Sequence, residues 1–182
     1  VTSMENGKAS PVNAVPAIEF YETRPNIGWF KAKLKASHTA WGAWLAAGAV
    51  ANYGVLADTH FERLILLDPS SPLVSGLERV MHRSAGELTN QIRSLANTAR
   101  MEHHAEVRYC ADLPYTILVF GNPPSVGERP SDDAWVQVES FLPGIEANER
   151  PCFVVYAKEH PELYGRLYKS FLNLWEHSSS MK

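Results

Sequence analysis

Cysteine is scarce in this chain: 182 residues contain two, Cys110 and Cys152. No Cys-x-x-Cys pair occurs, so the sequence offers no disulfide framework, no zinc ribbon and no dithiol redox motif. Both thiols sit at or beside predicted strands, where a small buried side chain is the simple expectation, and a cytosolic setting follows. Long apolar runs are missing as well. A membrane-spanning helix needs roughly 18 apolar residues; the segment Ala40–Val55 comes nearest, but glycines interrupt it and polar residues interleave it. The N-terminus lacks the basic-then-apolar layout of a signal peptide. Neither sign of charge dominates. With 17 basic and 20 acidic residues the net charge is -3, without the clustered Lys and Arg of a nucleic-acid footprint, so no nucleic-acid contact is expected from this domain. Also absent are a Gly-rich phosphate loop, a Gly-x-Ser-x-Gly elbow, a His-Glu-x-x-His pair and any internal repeat. No catalytic residue, metal ligand or cofactor is assigned.

What is present is the composition of an ordinary globular domain, with 45% hydrophobic and 20% charged residues. That is enough apolar content to close a core without staples. Residues 1–15 are small, polar and proline-containing and read as a disordered arm or linker. A single α/β domain is expected over 16–178, and 179–182 as a frayed tail. The stretch Phe61–Tyr109 organises the rest. FERLILL is a run suited to a strand buried on both faces. Asp68-Pro69 ends it, and Ser70 or Ser71 caps a helix with Pro72 in its first turn. Leu77, Val80, Met81, Leu88, Ile92, Leu95 and Ala99 recur at helical spacing, which predicts one long helix to about Glu102. EVRYC at 106–110 is the next strand.

Before this unit, AIEFYE (17–22) is a short strand, and Asn26 caps a helix over Ile27–Ala36. Thr39–Leu45 is a strand, and Ala46–Ala57 a short helix. After it, Tyr115–Phe120, Ala134–Phe141 and Cys152–Ala157 are strands. Gly121–Asp133 is a long loop rich in proline, glycine and charge. From Pro161, Leu163, Tyr164, Leu167, Tyr168, Phe171, Leu174 and Trp175 form the wide apolar stripe of a last helix that packs on the sheet. Alternation followed by a strand-rich half predicts a mixed, mostly parallel sheet sandwiched by helices.

Open α/β sheets bind ligands at the carboxyl ends of their strands. Asp68, Ser70 and Ser71 belong to that edge, beside the N-terminal N–H groups of the following helix, a setting suited to an anion. The same three residues also suffice as a helix cap. Tyr115 and Thr116 join them in the expected ligand-binding set, with the Gly121–Asp133 loop as a lid. Among seven histidines, His38 stands out because it precedes the strand carrying Trp41 and Trp44. His103 and His104 are adjacent and do not share a helix face. Trp41, Trp44, Tyr115 and Trp135 are candidates for an aromatic pocket, although aromatics on strands are commonly core.

Taken in order, IEFYETR, ILLDPSSP, VRYCADLPYTILVFGN and LYGRLYKSFLNLWEHS resemble the degenerate phospholipase D-like domains, some of which stand behind helix-turn-helix modules in bacteria. The resemblance runs from about Ala17 to His177 and rests on a strand ending in Asp-Pro and on Phe171, Leu174, Trp175 and Glu176. Active members carry His-x-Lys, whose histidine attacks phosphorus and whose lysine stabilises phosphate charge. Here Pro114 and Thr116 stand in those places. The resemblance therefore implies a scaffold without its reaction, and a homodimer, because active members pair two such motifs across a pseudo-dyad. It suggests a sensor-like module that binds a small anionic ligand or a partner protein. Two other readings stay open: a divergent phosphodiesterase or hydrolase using His38 and Asp68 in one cleft, and a homodimeric interaction module using the last helix.

Overall fold

The computed structural model describes residues 18–23, 27–45, 55–140, 142, 145 and 149–180. The expected arm over 1–15, the Asn26 cap and most of the helix expected at Ala46–Ala57 lie outside them. The described residues form eight strands: β1 Glu19–Tyr21, β2 Ala40–Trp44, β3 Phe61–Leu67, β4 Glu106–Cys110, β5 Ile117–Gly121, β6 Trp135–Glu139, β7 Cys152–Tyr156 and β8 Ser179–Ser180. Four α-helices accompany them: α1 Ile27–Lys35, α2 Pro72–Val80, α3 Glu87–Met101 and α4 Pro161–His177.

The strands make one sheet in the order β1-β7-β6-β5-β2-β3-β4-β8. Only β2–β3 and β3–β4 pair in parallel; the other five pairings are antiparallel. The expectation of a mostly parallel sheet is thus corrected. Parallel neighbours need a crossover, and the chain supplies one at α2–α3, whereas β5, β6 and β7 follow one another with no α-helix among the described residues between them and fold as antiparallel neighbours. The α/β class and the mixed sheet hold.

Directly paired residues share a face of a sheet. Trp41, Ala43, Leu118 and Phe120 mark one face. There Phe120 meets Tyr164, Tyr168 and Phe171 of α4, with ring centroids 5.5–6.1 Å apart. On the other face the Trp135 indole donates to Ser37 Oγ just past α1 (3.2 Å). Tyr109, paired with Leu66 on that same face, lies in the field of Arg93 and Arg100 of α3. Helices therefore cover both faces, and the apolar stripe of α4 packs on the sheet, with Tyr164, Phe171 and Trp175 buried and Leu163, Leu167, Tyr168 and Leu174 half-buried.

The long helix expected after Pro72 is two helices. His82 has φ +52° and Gly86 φ +83°, left-handed values that break helical continuity. Glu78 then joins the halves: its carboxylate accepts from Gly86 N (3.1 Å) and Leu88 N (2.9 Å), so α2 supplies the cap of α3. Ser179 and Ser180, expected to fray, pair with Tyr109 and Arg108.

Candidate functional site

The carboxyl ends of β2, β3 and β4 lie at one edge of the sheet. Asp68 follows β3 and is held there by its N–H, which donates to Cys110 O (2.9 Å). Its carboxylate Oδ1 accepts from Ser70 N (2.7 Å) and Ser70 Oγ (2.6 Å). Ser71 Oγ accepts from Leu73 N (3.2 Å) and donates to Ala111 O (2.9 Å). All three side chains are spent on the turn and the cap of α2. Thr116 lies at the same edge, where Leu45 N donates to its carbonyl (3.0 Å). Its Oγ1 is buried without a hydrogen-bond partner. The Tyr115 hydroxyl reaches Ser170 Oγ on α4 (3.2 Å), which ties loop to helix.

His38 is at the opposite edge. It precedes β2, Asp68 follows β3, and these strands run parallel from Ala40↔Phe61 to Trp44↔Leu66. At about 3.3 Å per residue, most of the sheet's height separates them, so the cleft required for a His38–Asp68 hydrolase does not form. The loop after β5 also lies at the His38 edge, because β5 runs antiparallel to β2. It is no lid for Asp68. His38, Asn122, Ser125, Arg129 and Asp133 instead line a shallow polar pocket of about 320 Å³. Asn122 orders it, accepting from His38 N (2.8 Å) and donating to Asp133 (2.7 Å). The four candidate pocket aromatics are dispersed. Trp41, Trp44 and Trp135 are core residues at 1–4% exposure, with Trp41 facing α4 and Trp44 the other side.

The strand-end edge holds a different feature. Leu45, Leu73, Gly76, Leu77, Val80, Leu113 and Pro114 line an open groove of about 680 Å³, with Arg79 at its rim. The residues come from the end of β2, from α2 and from the loop after β4. Proline at position 72 and the Ser71 cap fix where α2 starts, and the 3.6-residue period then aligns Leu73, Gly76, Leu77 and Val80 on one stripe. Leu77 is the floor at 8% exposure, while Leu73 and Val80 stand 42% and 40% exposed. Gly76 sits mid-helix, and a methyl group added to it would touch nothing within 4 Å. Sequence periodicity placed Leu77 and Val80 among residues recurring at helical spacing and passed over Leu73 and Arg79. The one legible signal was the glycine inside a helical pattern, which costs helix stability unless something needs the space.

A second chemical cluster was also missed. Lys33 of α1 donates to the Tyr156 hydroxyl and lies 4.1, 5.2 and 5.4 Å from the ring centroids of Tyr156, Trp135 and Trp29. Tyr156 and Tyr21 both donate to Glu19 Oε2 (3.0 Å). Burial lowers the Lys33 ammonium pKa. Burial, reinforced by the bond to Glu19, pushes the Tyr21 hydroxyl up to about 12 and raises that of Tyr156 as well. Glu19 and Tyr21 belong to the edge strand β1, so this network fastens β1 to β7 and α1.

No family model matches the chain, and no curated protein matches it. Among solved structures, one similar chain is TrmBL2, an archaeal chromatin protein whose structure shows a novel mode of DNA binding. It has a TM-score of 0.48 and 11% identity, over 93% of this chain and 56% of that one. This chain thus spans little more than half of that protein's length, and a likeness of this depth assigns it no ligand. The expectation of no nucleic-acid contact is withdrawn: net charge sums over the whole chain and does not exclude a local basic patch. No described helix is long and apolar enough to cross a membrane.

Proposed function

We propose that this chain is a non-catalytic binding module, built on a phospholipase D-like scaffold without its His-x-Lys nucleophile, whose ligand seats in the groove along α2. The observation that carries this reading is the groove itself. Its volume of about 680 Å³ falls in the range of small-molecule sites. Its wall is apolar, and Leu73 and Val80 stand exposed, whereas the other leucine, isoleucine and valine side chains of the described helices are buried or half-buried. It also lies at the carboxyl ends of parallel strands, where ligands of open α/β sheets gather. The ligand site is thereby moved from the Asp68–Ser71 turn, whose polar groups already satisfy one another, to the neighbouring face of α2. A sensor role fits a module of this kind.

The test is binding of a neutral alkyl probe. Octanol, followed by calorimetry and by the rise in Tm that ligand binding imposes, is expected to bind the wild-type chain. It is expected not to bind Gly76→Leu, which fills the groove from a position where no internal atom opposes the new side chain. Octanol binding that is absent from the wild type, or equal in both proteins, overturns the reading.

A further inference from the structure

Resting on that reading, we infer that the groove selects an aliphatic carboxylate: an apolar chain lying over Gly76 with its acid group at Arg79. Three observations converge on this class. First, among the described residues the lining carries one ionic side chain, Arg79, and no acidic one. Arg79 has no carboxylate partner among the described residues: the ion pairs in this region are Arg83–Glu87 at 2.9 Å and, on the far side of the sheet, Arg108–Glu106 at 2.8 Å. A cation at the rim of an apolar groove, with its donors unclaimed, is complementary to an amphiphile of opposite charge, and a guanidinium suits a carboxylate in particular.

Second, Gly76 leaves the α2 backbone bare at mid-groove. Glycine costs a helix interior roughly 0.5–1 kcal/mol against alanine, and no atom of the described chain claims the space a Cβ would occupy. A slim, flexible chain passing close to the backbone uses that space; a branched or globular occupant does not need it. Third, the dimensions agree. From Leu73 to Val80 the floor runs about 10 Å at the helical rise, a reach suited to an alkyl chain of medium length.

The placement of Arg79 makes the inference sharp. It stands in the last turn of α2, where the helix carbonyls repel an anion. The backbone gives the acid group nothing, so any preference for a carboxylate must come from the guanidinium. The contrast with the N-terminal end of α2 is plain: there the N–H groups favour an anion, but Ser71 and Asp68 already occupy the turn.

The experiment compares octanoate, octanol and octylamine on wild type and on Arg79→Met, which keeps the apolar stem and removes the charge. In the wild type octanoate is expected to bind about fivefold more tightly than octanol, the scale of one exposed ion pair, and octylamine more weakly than either. The octanoate preference shrinks as salt rises. In Arg79→Met the octanoate preference disappears, so that octanoate binds that variant no more tightly than octanol does. Equal binding of octanoate and octanol by the wild type refutes the carboxylate class and leaves the groove standing. A preference that survives Arg79→Met refutes the role of Arg79. Binding of none of the three probes refutes the groove itself.

Discussion

Two glycine-to-alanine substitutions carry opposite expectations, and together they test the packing on the α1 face of the sheet. Gly121 ends β5 directly opposite Trp135. A Cβ built there meets Trp135 Nε1 at 2.1 Å, Trp135 Cε2 at 2.3 Å and Ser37 Oγ at 2.6 Å, far inside the normal 3.5–4.0 Å contact. Trp135 is 4% exposed and fixed by its bond to Ser37, so neither partner has room to yield. Overpacking of this kind costs about 1–3 kcal/mol, and displacing the indole forfeits a hydrogen bond worth about 1 kcal/mol. The entropy that alanine removes from the unfolded chain returns about 0.4–1 kcal/mol. Gly121→Ala should therefore destabilise by about 2–3 kcal/mol. Gly76→Ala, in open space on a helix, should stabilise by about 0.5–1 kcal/mol. Urea unfolding followed by tryptophan fluorescence reads both. With a slope of about 2 kcal/mol/M, the midpoint of Gly121→Ala falls by roughly 1 M and that of Gly76→Ala rises by a few tenths of that. A Gly121→Ala midpoint equal to wild type would refute the seating of Trp135 over Gly121.

Glu78→Ala should cost about 2–4 kcal/mol, since it strips a charged acceptor from two α3 N–H groups, one of them buried. Glu78→Gln, which keeps one acceptor oxygen, should fall between, and thermal unfolding that leaves Glu78→Ala at the wild-type Tm would show that α3 caps itself. The pH dependence has a definite sign. Tyr21, pushed up to about 12, and Tyr156 and Tyr164, both raised by burial, keep their protons in the folded state while the unfolded chain loses them near 10. Their contribution is complete below pH 10 and is lost as pH climbs from 10 through 12. Lys33, lowered by burial, works the other way: as pH approaches 10.5 the unfolded chain gives up its extra proton and stability rises. Chemical denaturation across pH 9 to 12 should show a rise or plateau followed by a fall; a flat profile above pH 10 contradicts the burial of these hydroxyls.

How much was legible follows from what kind of information each feature needs. The run FERLILL defined β3 within its observed bounds, because burial on both faces leaves a continuous apolar signature. The stripe from Tyr164 to Trp175 likewise defined α4. Strand direction was less accessible. Four predicted strands in succession with no predicted helix between the last three argue for antiparallel neighbours, and the weight given to the Asp68 crossover hid that. The break between α2 and α3 depends on His82 and Gly86 in left-handed conformations and on a glutamate reaching ten residues ahead, which periodicity does not encode. The site failed for a similar reason. Asp68, Ser70 and Ser71 have site-like chemistry but satisfy one another, and His38 is carried to the far edge by the length of β2. Arg79 and Leu73 matter because they remain exposed, a property of the assembled fold.

The sheet order also fixes an address for whatever is attached to this domain. The first described strand and the last are the two outermost of eight. Seven inter-strand steps of about 4.8 Å set Glu19 and Ser180 roughly 34 Å apart. Reporters joined directly at Glu19 and at Ser180 are held on opposite flanks, with the sheet as a spacer between them. A circular permutant joining those ends needs a linker of about ten extended residues or more, and a distance-dependent optical pair placed there should read a separation that ligand in the α2 groove leaves unchanged.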